Sequence, residues 1–156
     1  MPSDITFARL TEVPLATLSE HLNDPRLAEH MPLLTPGWDE ERTRDWVEGK
    51  EEAWARDGLG HWAFLFGDRY VGWGGFEKEE GWDFALVLRP EDFGLGLPIA
   101  SKAIAFARKD PRISTLIFRL ATTRRARRAL ERLGARYAGE GQLMGATFLT
   151  YHLDVS

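Results

Sequence analysis

The stretch that most constrains this chain is Trp82–Arg108, which reads WDFALVLRPEDFGLGLPIASKAIAFAR. Trp82, Phe84, Leu86 and Leu88 alternate onto one face while Ala85 and Val87 fill the other, so a strand covered on both faces is expected. Pro90 cannot donate to a ladder and ends that strand. Gly94 and Gly96 let the backbone turn tightly and approach a ligand. Pro98 suits the first turn of a helix, so a helix is expected to start at or just after it. Its apolar stripe is Ile99, Ala103 and Phe106 with Ala100, Ile104 and Ala107. A strand, a glycine turn and a helix N-terminus together make an anion site, with open N–H groups and the positive end of the dipole. The same pattern also serves as an ordinary strand-to-helix turn, and spacing alone leaves both readings open.

Composition narrows the classes. At 156 residues and 44% apolar content, residues 1–156 are expected to form one domain with its own core. No run is long enough to span a bilayer, no cleavable signal opens the chain, and a membrane partner is not expected. Without cysteine there is no disulfide, cysteine nucleophile or thiolate metal site, and a cytoplasmic location is expected. His21, His30, His61 and His152 are scattered without ligand spacing, so no metal is expected. A net charge of −4 argues against a dedicated DNA or RNA binder. Six tryptophans should fill core, with some available to line a pocket.

In chain order, Ile5–Leu10 reads as a strand, Pro14 opens a short helix through Leu22, and a further helical turn follows Pro25. HMPLLTPGW (30–38) is a loop, and Asp39 caps a helix that runs to about Arg56, is stopped by Asp57 and Gly58, and buries Trp46, Val47, Ala53 and Trp54. His61–Phe66 and Arg69–Phe76 form a hairpin about Gly67-Asp68. Gly72, Gly74 and Gly75 in its second strand signal a bulge or a close backbone approach. After the central segment come a strand over Ile113–Ala121, a helix from about Thr123 to Leu133 stopped by Gly134, and strands at Arg136–Glu140 and Thr147–Asp154.

The run VLRPEDFGLGLPIASKAIAFA resembles the acetyl-CoA pyrophosphate loop of the GNAT N-acetyltransferase superfamily, whose pattern is Gln/Arg-x-x-Gly-x-Gly/Ala. It is most similar to the branch of ribosomal-protein N-terminal acetyltransferases, where the loop reads Pro-x-x-Trp-Gly-x-Gly. Phe93 stands for the aromatic, Gly94 and Gly96 for the glycines and Pro90 for the proline, while Pro98 falls where Gly or Ala is usual. A second segment, TTRRARRALERLGARYAGEG, is similar to the family's Asn-x-x-Ser/Ala followed by Leu-Gly-Phe, matching at Leu133 and Gly134. The element order is also that of the family. The resemblance therefore implies an α+β, three-layer fold: a mixed, mostly antiparallel sheet of six to seven strands with a V-shaped splay, flanked by about four helices.

It further implies acetyl-CoA as co-substrate and an amine acceptor, either a protein N-terminus or a small molecule. Pantetheine would pair with Leu86, Val87 and Leu88, where one amide polarises the thioester carbonyl, and pyrophosphate would lie on Phe93, Gly94, Leu95, Gly96, Leu97, Ile99, Ala100 and Ser101. Thr123, Arg124 and Arg128 would lie toward Coenzyme A, the arginines near its 3′-phosphate; the same basic run also reads as a solvated helix face or an RNA contact. Direct attack needs a neutral amine: deprotonation at pH 7 costs about 1.4 kcal/mol for an α-amino group and about 4.6 kcal/mol for a lysine. Asp83, which interrupts an apolar strand and whose burial beside Trp82 and Phe84 would raise its pKa, is the first candidate base, and Glu77 the second. The usual tyrosine acid falls at Leu130, leaving Tyr151 or Tyr137 as substitutes if the fold brings one near. His30, Trp38 and Trp73 are candidates to touch the acceptor. The alternative is a degenerate family member that binds an acyl-CoA, another ligand or a protein without transfer. A homodimer is left open.

Overall fold

Turn chemistry and hydrophobic period place the elements. The chain forms β1 (Ile5–Arg9), α1 (Leu15–Leu22), α2 (Pro25–Ala28), α3 (Glu40–Asp57), β2 (His61–Phe66), β3 (Arg69–Lys78) and β4 (Trp82–Leu88). There follow α4 (Gly96–Lys109), β5 (Thr115–Ala121), α5 (Arg127–Arg132), β6 (Arg136–Leu143) and β7 (Ala146–Asp154), with short 3-10 turns at Leu10–Glu12 and Pro90–Leu95. The structure is a computed structural model, and it describes residues 4–28, 31, 37–79, 81–121, 127–143 and 145–156. All seven strands join one sheet in the order β1-β2-β3-β4-β5-β7-β6, in which only β4–β5 is parallel.

The Asp39 carboxylate accepts the Arg42 N–H at 2.8 Å and Gly58 closes the helix at φ 75°, as expected for α3. Gly134, at φ 99°, ends α5 with Ala135 N–H bonded to Leu130 C=O and Gly134 N–H to Glu131 C=O. The crowding signalled by the β3 glycines is real. A Cβ at Gly74 would lie 2.1 Å from the Ala85 carbonyl oxygen, and one at Gly72 would lie 2.5 Å from that of Val87. The ladder between β2 and β3 slips at Phe64/Leu65, where Val71 is the extra residue.

Each sheet face has its own core. Toward α4 lie Phe64, Phe76, Trp82, Phe84, Leu116, Phe118 and Tyr151, packed on Ile99, Ala103 and Ile104. Toward α1 and α3 lie Leu10, Leu18, Leu22, Val47, Tyr70, Trp73 and Val87. Burying one such large side chain is worth about 1.5–3 kcal/mol.

Several boundaries differ from the sequence reading: β1 stops at Arg9, β3 runs past Phe76 to Lys78, β6 past Glu140 to Leu143, and β7 starts at Ala146. The helix α4 starts at Gly96, two residues before Pro98, because the 3-10 turn runs straight into it with Leu95 at φ −87°, ψ −1°. Ile113 precedes β5 as a buried loop residue. The stretch before α5, including Thr123 and Arg124, and the acceptor-loop residue His30 lie outside the described residues.

Candidate active site

The ladder between β4 and β5 consists of Trp82↔Leu116, Asp83↔Ile117 and Phe84↔Phe118, and it ends there. Beyond that vertex β4 continues to Leu88 against β3, and β5 continues to Ala121 against β7. The two strands diverge, and the expected V-shaped opening runs along Ala85–Leu88 on one side and Arg119–Ala121 on the other.

The turn after β4 faces this opening. Gly94 lies in the tight 3-10 turn and Gly96 sits at φ −58°, ψ −47°; neither has positive φ, so the turn is right-handed throughout and does not use the conformation peculiar to glycine. What distinguishes Gly94 is space: a Cβ there would meet no atom within 4 Å. The turn carries two acids of its own, and both are neutralised. Asp92 is buried and binds Arg69 at 2.8 and 2.9 Å, while Glu91 binds Arg89 and Arg26 at 2.8 and 2.9 Å. An anion at the α4 N-terminus therefore meets helix amides rather than bare carboxylates. Pro98 occupies the third helical position, where it withdraws one donor from the first turn. Phe93 and Leu97 are exposed, whereas Ile99 and Ala100 are buried in the core and have only main chain to offer. Ser101 and Arg128 are exposed on their helices.

Charged groups gather on the α3 face beside the vertex. Asp83 pairs across the ladder with Glu77, so their side chains share a face with Cβ atoms about 5 Å apart. Period-two alternation turns Asp83 away from Trp82 and Phe84, correcting the expectation that it is buried beside them. Arg119, just past the vertex on β5, forms an ion pair with Asp83 Oδ2, while Asp83 Oδ1 is buried with no hydrogen bond among the described residues. Glu77 takes Lys50 Nζ at 2.5 Å and faces His61 Nδ1 at 3.4 Å.

Burial holds the His61 imidazole down to about 3, with Lys50 adding to the effect and Glu77 opposing it. Burial pushes the Glu77 carboxyl up, but neighbouring His61 and Lys50 and the Lys50 hydrogen bond outweigh it, and the net direction is down. Because His61 is neutral at pH 7, the cations that keep Glu77 ionised are Lys50 and, more weakly, Arg56. Deeper on this face, His21 Nδ1 and Tyr70 Oη lie 2.6 Å apart, with burial lowering His21 and raising Tyr70.

Of the expected acceptor residues, Trp73 is buried on β3 against Trp46, rings 5.0 Å apart, and Trp38 meets Trp46 at 6.1 Å. Leu130 is buried core. Tyr151 is fully buried and its hydroxyl accepts from Arg127 Nε at 2.6 Å, with Tyr137 beside it at 5.4 Å between ring centroids. Sequence reasoning missed Arg119, Lys50 and His61. Lys50 had a signal, a charged residue inside the stripe of Trp46, Val47, Ala53 and Trp54. Arg119 had none, since its partner is on another strand.

A family model described as an acetyltransferase (GNAT) domain matches residues 4–136. No curated protein sequence matches significantly. Among solved structures, spermidine N-acetyltransferase from Vibrio cholerae, in complex with CoA and spermine, superposes with TM-score 0.79 at 10% identity, covering 97% of this chain and 96% of that one. The aminoglycoside acetyltransferase AAC(6')-Ib, in complex with ribostamycin and Coenzyme A, gives TM-score 0.78 at 15% identity over 97% and 93%. An acetyltransferase from Agrobacterium tumefaciens gives 0.76 at 17% identity over 96% and 90%. At these identities the likeness is one of fold.

Proposed function

This chain belongs to the GNAT acetyltransferase family, and we propose that it moves an acetyl group from acetyl-CoA to a primary amine by direct attack. The observation that carries the reading is the end of the β4–β5 ladder at Phe84↔Phe118. Pantetheine fits the opening as an added strand along Leu86–Leu88, its pyrophosphate at the Gly94–Ser101 turn over the α4 N-terminus. A β4 amide beyond the vertex polarises the thioester carbonyl, a contribution of about 3 kcal/mol. On the α3 face Asp83 takes the proton from the attacking amine, Arg119 orients that carboxylate, and Glu77 adds negative charge that draws a cationic acceptor. The amine adds to the carbonyl carbon, the tetrahedral centre collapses, and the C–S bond breaks to release the CoA thiolate.

Small-molecule amines are the favoured acceptors, supported by the tryptophan-lined α3 face and by the spermine and ribostamycin bound in two proteins of the same fold. A protein N-terminus, as in the ribosomal-protein branch, is the other acceptor class. We place the protein in the cytoplasm, working as one domain. A second reading, ligand binding without transfer, is favoured by Pro98 in the first turn of α4 and by buried Leu130 in place of a tyrosine acid.

Calorimetric titration with acetyl-CoA, then free Coenzyme A, tests the cleft. Micromolar binding followed by acetylation in an amine screen is the expected result. No heat at millimolar ligand removes the CoA reading, and binding without transfer to any amine selects the second one.

A further inference from the structure

Lys50 holds its ammonium where a ligand's ammonium would be expected. Its Nζ lies 2.5 Å from Glu77 Oε1, 5.3 Å from the ring centroid of Trp73 and 5.8 Å from that of Trp46. The two indoles meet edge to face, with planes at 73°, and form two walls of a box whose end is the Glu77 carboxylate. Both distances lie within the range at which an aromatic face attracts a cation. A surface lysine ordinarily carries its ammonium out to water; this one turns inward, and its side chain is only 17% exposed.

Two parts of the box, Glu77 and Trp73, belong to the sheet, while the Trp46 wall lies on α3, one turn before the occupant Lys50. Glu77 and Trp73 are fixed on β3, and the Trp73 ring packs at a tilt against His61 of β2, centroids 5.4 Å apart. His61 is buried with neither ring nitrogen hydrogen-bonded among the described residues, and Trp73 Nε1 is likewise unbonded. Trp73 and Glu77 stay in place whatever the Lys50 side chain does, because they belong to paired strands. Lys50 hangs on a flexible four-carbon stem. It borders an open cleft of about 350 Å³ whose lining includes Trp46, Ala53, Arg56, Glu77 and Glu79, so its head can swing out past them. Glu77 is the cross-strand neighbour of Asp83, which puts the box directly beside the vertex.

We propose that this box is a binding site for an alkylammonium, the second cationic group of a diamine-type acceptor, and that Lys50 is its built-in occupant, which the ligand must displace. The box as an ammonium site stands on its own geometry; the ligand's role as acceptor rests on the acetyltransferase reading above. Removing Lys50 leaves Glu77 partly buried without its cation and two aromatic faces without their charge, which a small ammonium can restore.

The test is thermal unfolding of Lys50→Ala without acetyl-CoA, in n-butylammonium chloride, against sodium chloride of equal ionic strength and against n-butanol. Butylammonium is expected to raise the midpoint of Lys50→Ala above both controls by mass action, and to do so at concentrations at least tenfold lower than for the wild type. The rise should vanish in Lys50→Ala/Trp73→Leu and in Lys50→Ala/Glu77→Gln. Equal rises with butanol, or no difference from the wild type, overturn the site. Should Lys50→Ala fail to fold, Lys50→Met keeps the stem, and methylammonium titration followed at the Trp73 indole N–H resonance gives the same two outcomes. A lower KM of Lys50→Ala for diamines but not for monoamines supports the acceptor role, and no change in that ratio overturns it. Ammonium binding without any acetyl transfer by the wild type would defeat the enzymatic reading while leaving the site intact.

Discussion

On the α4 face, Phe76, Phe84 and Phe118 form a row with successive centroids 5.5 Å apart, tilted and then edge to face, and Leu116 and Ile99 are fully buried in the same core. On the opposite face the same strands present Glu77, Asp83 and Arg119, with Trp73 and His61 nearby. The first face is a hydrophobic core whose groups need nothing more. On the second, Asp83 Oδ1, both His61 nitrogens and Trp73 Nε1 are buried without hydrogen bonds among the described residues. Leaving such groups unmet costs about 1–3 kcal/mol each. A fold tolerates that where the groups are kept for another partner. Each face carries a core, and the second adds the buried polar groups on which the proposed chemistry rests.

The sharpest way to break this comparison is Phe76→Ala. It should cost about 3–5 kcal/mol of unfolding free energy in a denaturant titration, because the closed face cannot refill the cavity. A loss under 1 kcal/mol would mean that the α4 face is not the stabilising one. Asp83→Asn probes the other face. Turnover should fall about 100-fold or more, equivalent to about 2.7 kcal/mol, with acetyl-CoA affinity by calorimetry nearly unchanged. If the variant keeps the wild-type rate across neutral pH, Asp83 has no part in proton transfer.

Acid should separate the faces further. His61 is depressed to about 3 when folded, so below 6.5 the unfolded chain takes up a proton that the folded one refuses. Stability should drop as pH falls from 6.5 toward 3, by up to about 1.4 kcal/mol per pH unit. His21, also depressed by burial, acts in the same direction, and Glu77, depressed as well, adds a loss through the carboxylate range. His61→Phe should flatten the profile; an unchanged slope would show that His61 is not held neutral. The smallest effect sharpens the cleft. Gly94→Ala should leave stability within about 0.5 kcal/mol, since its Cβ meets nothing, yet weaken acetyl-CoA binding in calorimetry. Unchanged affinity would place pyrophosphate away from Gly94.

Local signals account for the elements that the sequence reading and the structure share. Asp39 and Gly58 bound α3 because capping and left-handed backbone are properties of a few adjacent residues. The alternation over Trp82–Leu88 placed β4, and Gly67-Asp68 placed the hairpin of β2 and β3. The glycines of β3 announced a close approach, though not which strand approaches. Asp83 and Glu77 stood out singly as carboxylates. That they are neighbours across β3 and β4, that Arg119 reaches Asp83, and that Lys50 folds inward onto Trp73 follow only from strand register and helix docking. Period and turn chemistry act over a few residues and can be read along the chain. Which charges meet is set by burial of two apolar faces at once, a condition on the whole sheet that no single stretch contains.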